Sequence, residues 1–459
     1  MGVETGHSMK KLYPIQLVIV FLLTIVCAAC QSRVNQNPLT QVSIKGDRWY
    51  INGEKTNPGS PAEGLLMNVR MVNAVFEDRG EGWKDQVETF NPDENTKNFI
   101  NQIPAYVALG VNAFVISLQG GLPGYEGAIN TAFERNGDLR KSYFDRVAKV
   151  LKAADHQGAA IILSCFYQRQ RDHEFALENK QAIIEAVRNT ALWIGKEGFT
   201  NVVLEIANEY PHGGYGGWPE SDWLVSEEGQ VELMKTARKA HPGLLVSTSG
   251  LGNGIFPEAL VGSADFLLIH FNNTALTDYA EKINLLKKYG KPIVCNEDDK
   301  TGKVGAAALA YSVINGAAWG FMESGVNQHI PFEFKGKNDD PEVYTAFKNM
   351  STPNFQLDKK QLEQSSITII FPNDGSVFME GNSLTINLSH LFPDTSNFSK
   401  VVFMANDKQI LLAKDQKRLE WKPEAAGAYE LRVRVFDKLG TLLYQSAPVD
   451  IKVSPSSKE

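Results

Sequence analysis

Eight apolar, strand-like runs alternate with amphipathic, helix-like runs through the middle of the chain. This alternation predicts parallel strands, because each helix carries the chain back across the sheet before the next strand begins. The eight units occupy about 260 residues, close to the ~250 of a (β/α)8 TIM barrel, and no glycine-rich phosphate loop follows the first run. The runs are 65–72, 111–118, 159–166, 201–207, 244–249, 265–271, 292–296 and 317–322.

The chain changes character after the barrel domain, which is predicted to cover 42–350. A polar linker is expected over 351–366, and beyond it apolar residues alternate with period two. Turn signals separate the alternating stretches, so 367–453 is predicted to be a small all-β, immunoglobulin-like sandwich. Its role is either that of a spacer or cap, or carbohydrate binding. The expected strands are 367–371, 383–388, 400–405, 429–436 and 449–453.

Two local signals predict boundaries inside the barrel domain. An Asn52-Gly53 turn is expected to end a two-stranded segment over 42–51. Ser142 and Asp145 have the spacing of a capping box, so a helix is predicted to begin there.

Residues 1–30 have the composition of an export signal, in which lysines precede an apolar run over 15–26. The run ends at Cys27-Ala28-Ala29-Cys30, which resembles the cleavage box of bacterial lipoprotein signals. That resemblance implies acylation of Cys30 and attachment to a membrane, the outer membrane or the cell surface, through a tether over 31–41. The alternative is an uncleaved membrane helix, although the run is shorter than the ~20 residues that a span needs.

Charge and side-chain chemistry narrow the classes of partner. The formal net charge of −7 argues against a nucleic-acid partner and favours a neutral substrate. Cys165 and Cys295 lie in separate apolar runs, so we expect buried free thiols rather than a disulfide. His212, His241 and His329 lack metal-ligand spacing, so no metal or other cofactor is expected. The sequence leaves the oligomeric state open.

Two glutamates stand at the ends of predicted strands. Glu209 follows the fourth run and Glu297 follows the seventh, 88 residues later, which matches three barrel units. Catalytic residues of such barrels lie at the carboxyl ends of the strands, so both carboxylates are expected to face one mouth. Strands four and seven are nearly opposite each other, and we expect a separation of ~5 Å rather than the ~6.5–9.5 Å of inverting glycosidases.

The segments Glu205-Ile206-Ala207-Asn208-Glu209 and Lys291-Pro292-Ile293-Val294 with Glu297 resemble the fourth and seventh strands of clan A glycoside hydrolases. The resemblance is strongest to the family 5 cellulases and mannanases. It implies a retaining β-glycoside hydrolase with a carbohydrate substrate. In that family pattern Glu209 is the acid/base, Asn208 a hydrogen-bond donor to the sugar 2-hydroxyl, and Glu297 the nucleophile.

The neighbours of these glutamates are less fully specified. We expect His270, at the end of the sixth run, to donate a hydrogen bond to Glu297. Glu205 should point into the barrel interior, where a buried carboxylate needs a cation. Arg70 is the candidate for that cation, or else contacts Glu297 or the substrate. The family usually has an arginine on the second strand where this chain has Val115, and Arg70 is the candidate replacement.

Several aromatic residues are candidates for stacking on sugar. Trp319 in the eighth run and Trp218 in the glycine-rich loop after Glu209 are each either a sugar platform or core. Tyr167 and His173 follow the third run in a similar position. The same residues would serve a transglycosylase, and a non-catalytic carbohydrate-binding surface lipoprotein is the remaining alternative.

Overall fold

The computed structural model describes residues 1–2, 39–79, 90–120, 129–168, 175–274, 276–357, 368–373, 375–389, 398–406, 408–413, 418–440, 442–446 and 448–455. The predicted export signal with Cys30, most of the tether, much of the linker and His173 lie outside these ranges. Within them, no helix combines the length and the apolar character needed to cross a membrane.

The domain predicted over 42–350 opens with a small antiparallel sheet of three strands. These are β1 (Val42–Lys45), β2 (Arg48–Ile51) and β3 (Glu54–Lys55). Asn52 and Gly53 have φ angles of +54° and +83° and form the tight turn between β2 and β3. The two strands predicted over 42–51 are confirmed, and the Asn52-Gly53 turn leads into a third strand beyond that segment.

Eight short parallel strands follow, one at each predicted run. They form a six-stranded sheet in the order β11-β4-β5-β6-β7-β8 and a two-stranded sheet of β10 and β9. Isolated parallel bridges join Ser249 to Leu268, Val294 to Ala318, and Asp298 to Phe321. The mixed α/β fold with parallel sheets is thus confirmed. The strands are β4 (Asn68–Arg70), β5 (Ala113–Ser117), β6 (Ala160–Phe166), β7 (Val202–Ala207), β8 (Val246–Ser247), β9 (Leu267–His270), β10 (Ile293–Glu297) and β11 (Gly320–Phe321).

Helices separate these strands and bury one face each. The second helix begins at Lys141, and Arg140 at its N-cap makes no side-chain capping bond. The prediction of a capping box at Ser142 is therefore wrong. Ser142 lies inside the first turn of the helix, one residue after its start, and so does not occupy the N-cap position. The helices are α1 (Pro92–Ala108), α2 (Lys141–His156), α3 (Lys180–Glu197), α4 (Ser221–Leu224), α5 (Glu227–Ala240), α6 (Glu258–Val261), α7 (Tyr279–Lys287), α8 (Gly302–Ile314) and α9 (Pro341–Ser351).

The parallel strands are almost wholly buried, and the helices pack their apolar faces on them to form one core. Cys165 in β6 and Cys295 in β10 are both buried free thiols, as expected. Burial raises the pKa of each thiol well above its ordinary value, which makes both thiols chemically inert near neutral pH.

The C-terminal region contains two β-sheets with a core of their own. Ile386 from one sheet and Val433 from the other are both buried in that core. All five predicted strands are found, but β13, β16, β17 and β19 were missed. One sheet is β12 (Thr368–Phe371), β14 (Leu384–Ser389) and β17 (Arg418–Trp421); the other is β13 (Ser376–Met379), β20 (Val449–Ser454), β18 (Gly427–Asp437), β15 (Phe398–Ala405) and β16 (Lys408–Ala413), with β19 (Leu442–Gln445) on β18.

Candidate active site

Two glutamates converge at the carboxyl ends of β7 and β10. Glu209 lies just beyond β7, and Glu297 is the last residue of β10. One oxygen of each carboxylate and one ring nitrogen of His270 all lie within 4.8 Å of one another. The strand positions expected from the sequence therefore do bring these side chains together.

An unusual backbone conformation positions Glu209. Its φ angle is +48°, in the left-handed region that non-glycine residues rarely occupy. The Glu209 backbone N–H donates to Ser249 Oγ at 2.9 Å, and the next N–H, of Tyr210, donates to the Ser249 carbonyl at 3.0 Å. Such conformations cost on the order of 1–3 kcal/mol and persist only where the surroundings enforce them. Ser249, beyond β8, is the residue that enforces this one.

A β-bulge positions Glu297. Cys295 pairs with Ile269 and Glu297 pairs with His270, so Asn296 is an extra residue in β10 relative to β9. Bulges of this kind redirect the side chains that follow them. Here the bulge brings the Glu297 side chain to the same side as His270.

One hydrogen-bond donor and one cation hold the Glu297 carboxylate. Asn272 Nδ2 donates to Oε1 at 2.9 Å, and Arg70 Nη2 lies 3.0 Å from Oε2. Arg70 is buried, and burial works to lower its pKa, but the charges of Glu297 and Glu205 outweigh burial and raise that pKa. The guanidinium therefore stays charged. Asn272 was missed in the sequence, although its two-residue spacing from His270 would have placed both side chains on one face of an extended strand.

The contacts of Arg70 decide between its two candidate carboxylate partners. It pairs directly with Glu297, whereas Glu205 affects it through charge without a hydrogen bond. Glu205 is buried, as expected, and its Oε2 accepts a long hydrogen bond of 3.4 Å from Asn296 Nδ2. Arg70, in the first parallel strand, is thus the cation beside Glu297, and its replacement of the family's second-strand arginine stays a prediction.

Asn208 is oriented by its neighbours. Its Oδ1 accepts from Arg70 Nη2 at 2.9 Å, and its Nδ2 donates to Gln168 Oε1 at 3.4 Å. Because arginine only donates hydrogen bonds, the amide oxygen must face Arg70 and the amide nitrogen must face away from it. Asn208 can therefore present a donor to a ligand. Gln168, which follows β6, was not singled out from the sequence.

His270 lies between the two carboxylates. Its Nδ1 is 3.3 Å from Glu209 Oε1 and 3.6 Å from Glu297 Oε2. The sequence led to the expectation of a contact with Glu297, but His270 lies closer to Glu209. Burial works to lower the pKa of His270, but the charge of Glu297 and the hydrogen bond to Glu209 raise it overall. Burial likewise works to raise the pKa of Glu209, but His270 holds it below its ordinary value. The two shifts have opposite directions, and both favour a protonated His270 beside an ionised Glu209.

Neither tryptophan is a sugar platform. Trp319 is fully buried, and its Nε1 donates to Asp298 Oδ2 at 2.7 Å. Trp218 is buried too, and its Nε1 donates to the Gln168 carbonyl at 3.3 Å. Stacking on sugar needs an exposed ring face, so the core alternative holds for both, and their inclusion among the substrate-binding residues was wrong. Tyr167 is also largely buried.

The cluster of Glu209, His270 and Glu297 has donor atoms that could coordinate a metal ion. The electrostatic surroundings oppose this. Arg70 places a guanidinium 3.0 Å from Glu297, and the raised pKa of His270 means that a metal would compete with a proton for the ring nitrogen.

Comparison with known proteins gives likenesses of shape only. No protein-family model and no curated protein matches the chain. An endo-β-1,4-mannanase from Thermotoga petrophila aligns at 13% identity and a TM-score of 0.47, over 85% of this chain and 98% of its own. An endo-1,4-β-mannanase from Rhizomucor miehei aligns at 12% identity and a TM-score of 0.46, over 68% and 98%. A trimodular endo-β-1,4-glucanase from Bacillus licheniformis aligns at 13% and 0.42, over 86% and 80%.

Proposed function

We propose that this protein is a retaining β-glycoside hydrolase that acts on an oligosaccharide or polysaccharide, with Glu209 as acid/base and Glu297 as nucleophile. The approach of the two carboxylates carries the proposal. One oxygen of each carboxylate lies within 4.8 Å of the other, close to the ~5–5.5 Å of retaining enzymes and short of the ~6.5–9.5 Å that inverting enzymes need to admit a water.

The unequal surroundings of the two carboxylates support the assignment of roles. Glu297 is beside a permanent cation, Arg70, and accepts a hydrogen bond from Asn272, and these are partners that suit a carboxylate nucleophile. Glu209 has His270, a group that can give up a proton at moderate pH. Glu209 is therefore the carboxylate that can change its protonation state during a reaction cycle.

The reaction proceeds in two displacements. The proton held by His270 passes to Glu209 across their 3.3 Å contact, and Glu209 then delivers it to the glycosidic oxygen. At the same time Glu297 attacks the anomeric carbon, the bond to the leaving group breaks, and a glycosyl ester of Glu297 forms. Glu209, now ionised, removes a proton from a water molecule, whose oxygen attacks the same carbon and releases Glu297.

The proposal includes a closed (β/α)8 barrel. The isolated bridges from Ser249 to Leu268 and from Val294 to Ala318 support closure at both seams between the two parallel sheets. Active sites of such barrels lie at the carboxyl ends of the strands, where Glu209 and Glu297 stand.

We infer that the C-terminal sandwich is immunoglobulin-like. The order β12-β14-β17 corresponds to strands A, B and E of that fold, and β20-β18-β15 corresponds to G, F and C. Tyr429 near the start of β18 donates its hydroxyl to the Ala425 carbonyl at 2.7 Å, which is the bond of a tyrosine corner.

Attachment of the exported protein to a bacterial membrane through lipidated Cys30 remains part of the proposal. It rests on the cysteine box at the end of the apolar run. Expression of Cys30→Ser in a bacterial host should move the protein from the membrane fraction to the soluble fraction, and an unchanged distribution would count against the anchor.

A polysaccharide screen tests the enzymatic proposal. Purified protein would be incubated with β-linked glucans, mannans, xylans and galactans, and the first-formed product followed by NMR. We expect one class to be cleaved with retained configuration and a loss of on the order of 10³ or more in Glu209→Ala and Glu297→Ala. Glu197→Ala, at the exposed end of α3, is the matched control. Inverted product, or full activity in either active-site variant, would overturn the mechanism.

A further inference from the structure

The loop after β8, residues 250–257, carries two exposed apolar side chains at the mouth of the site. Leu251 is 37% exposed and Ile255 is 50% exposed. Other large apolar side chains exposed in the described part of 39–357 lie elsewhere, such as Leu192 and Leu285 on the helices. We call residues 250–257 the mouth loop.

The mouth loop is fixed against the chain beyond β9. The Gly254 N–H donates to the His270 carbonyl at 2.9 Å, and the Asn273 N–H donates to the Gly252 carbonyl at 2.8 Å. Gly254 has a φ of +68°, and a Cβ there would lie 2.6 Å from the Phe271 ring. Leu251 and Ile255 are therefore presented by a closely packed backbone and do not depend on a loose loop for their exposure.

The mouth loop lies on the Glu209 side of the site. It follows Ser249, whose side chain and carbonyl bind the backbone N–H groups of Glu209 and Tyr210. At its other end it is bonded to His270, whose ring contacts Glu209 at 3.3 Å. Arg70, in contrast, stands beside Glu297. In a retaining mechanism the acid/base faces the leaving group, so the surface next to Glu209 is where the leaving group would lie.

We propose that Leu251 and Ile255 form an apolar wall that binds the leaving-group side of the substrate. This inference rests on the proposed function and deepens it. The two side chains are partly exposed to water in the free protein, so covering their exposed surface with an apolar face of the leaving group is favourable. The ligand class is a glycoside whose leaving group presents an aryl, alkyl or ring C–H face. The same wall would receive an apolar acceptor if one replaced water in the second displacement.

Paired substrates isolate this contribution. For the sugar that wild type accepts best among gluco, manno, galacto and xylo configurations, kcat/KM would be measured on the 4-nitrophenyl β-glycoside and on the β-glycosyl fluoride. Both form the same glycosyl ester at Glu297, but the fluoride has no leaving-group surface. The variants are Leu251→Asn, Ile255→Asn and the double variant. Leu285→Asn, on α7 and 58% exposed, is the matched control.

We expect kcat/KM on the aryl glycoside to fall roughly fivefold to tenfold in each single variant and further in the double variant, while the fluoride changes less than twofold. Leu285→Asn should change neither substrate. Equal losses on both substrates, or no loss on the aryl glycoside, would overturn the apolar wall while the hydrolase assignment stands. If folded wild type cleaves neither substrate in any configuration and is inactive in the polysaccharide screen, the proposed function fails, and the wall fails with it.

Discussion

The Glu209 side and the Glu297 side of the site hold similar carboxylates in different ways. Both lie at the carboxyl ends of parallel strands, β7 and β10, and their side chains are comparably buried, at 15% and 10% exposed. The Glu297 side supplies a permanent cation and an amide donor, whereas the Glu209 side supplies a histidine and a strained backbone. Burial therefore does not distinguish the two carboxylates, and their charged partners do.

Replacement of Arg70 should have the largest effect, because it removes the permanent cation from the Glu297 side of the site. Arg70→Met would leave Glu297 and Glu205 buried without their cation, so the free energy of unfolding should fall by about 3–5 kcal/mol. Urea denaturation, followed through the unfolding transition of the domain over 42–350, measures this loss of free energy. The double variant Arg70→Met/Glu205→Gln removes one uncompensated charge and should recover part of the loss. If the two substitutions were simply additive, Glu205 and Arg70 would not interact.

Removal of the amide donor on the Glu297 side should be the next largest effect. Asn272→Ala loses the bond to Glu297 Oε1, and we expect kcat/KM to fall roughly tenfold to a hundredfold because the nucleophile is less well positioned. Asn273→Ala is the matched control, since Asn273 is exposed and its backbone holds the mouth loop. Equal losses in both variants would mean that the loop, and not Glu297, depends on these residues.

The Glu209 side is tested through pH. Wild-type kcat/KM should fall as pH rises through the raised pKa of His270, above its ordinary value of 6.5, because the proton needed for the leaving group is then lost. In His270→Gln that proton must be held by Glu209 alone, so the fall of kcat/KM at high pH, the basic limb of the pH profile, should begin at lower pH. A basic limb in His270→Gln at the wild-type position would show that His270 does not hold the catalytic proton.

The same pair also affects stability. The raised pKa of His270 stabilises the fold fully below pH 6.5, and this contribution is lost as pH rises through the folded pKa. The lowered pKa of Glu209 stabilises the fold above pH 4.5, and that contribution is lost as pH falls. The destabilisation of His270→Gln should therefore be largest between these limits.

The smallest effect is expected from Trp319→Phe, which tests whether Trp319 belongs to the core or is a sugar platform. Trp319→Phe keeps most of the buried ring but loses the 2.7 Å bond to Asp298, and should cost about 1 kcal/mol of unfolding free energy. Because the ring is buried, KM should stay within twofold of wild type. A raised KM with unchanged stability would restore the platform interpretation.

The arrangement of the strands was predictable because it depends on local patterns. Each of the eight parallel strands lies at its apolar run, although β8 and β11 have only two residues where the runs have six. An apolar run indicates that its residues are buried, not that all of them form strand hydrogen bonds. The residues at the ends of these two runs are largely buried but lie outside the strands themselves. The missed β17 has the sequence Arg-Leu-Glu-Trp and lies at the edge of its sheet. Its two charged residues make the alternation of apolar and polar residues hard to recognise in so short a strand.

The site was predictable only as far as strand ends determine it. The meeting of Glu209 with Glu297 follows from strand order, and His270 is at the expected end of β9. The bulge at Asn296 and the positive φ of Glu209 depend on pairing with neighbouring strands, which no local pattern records. Trp319 was ambiguous because its burial depends on packing against Phe347 of α9, far away in the sequence.

The identity of the two glutamates is tested most directly by azide rescue of Glu209→Ala and Glu297→Ala on the aryl β-glycoside. If Glu209 is the acid/base, azide should attack the glycosyl ester of Glu297 and give the β-glycosyl azide. If Glu297 is the nucleophile, azide should occupy the space left by its carboxylate in Glu297→Ala and give the α-glycosyl azide. NMR of the two products decides the point, and the same anomer from both variants, or the two anomers exchanged, would contradict the assignment.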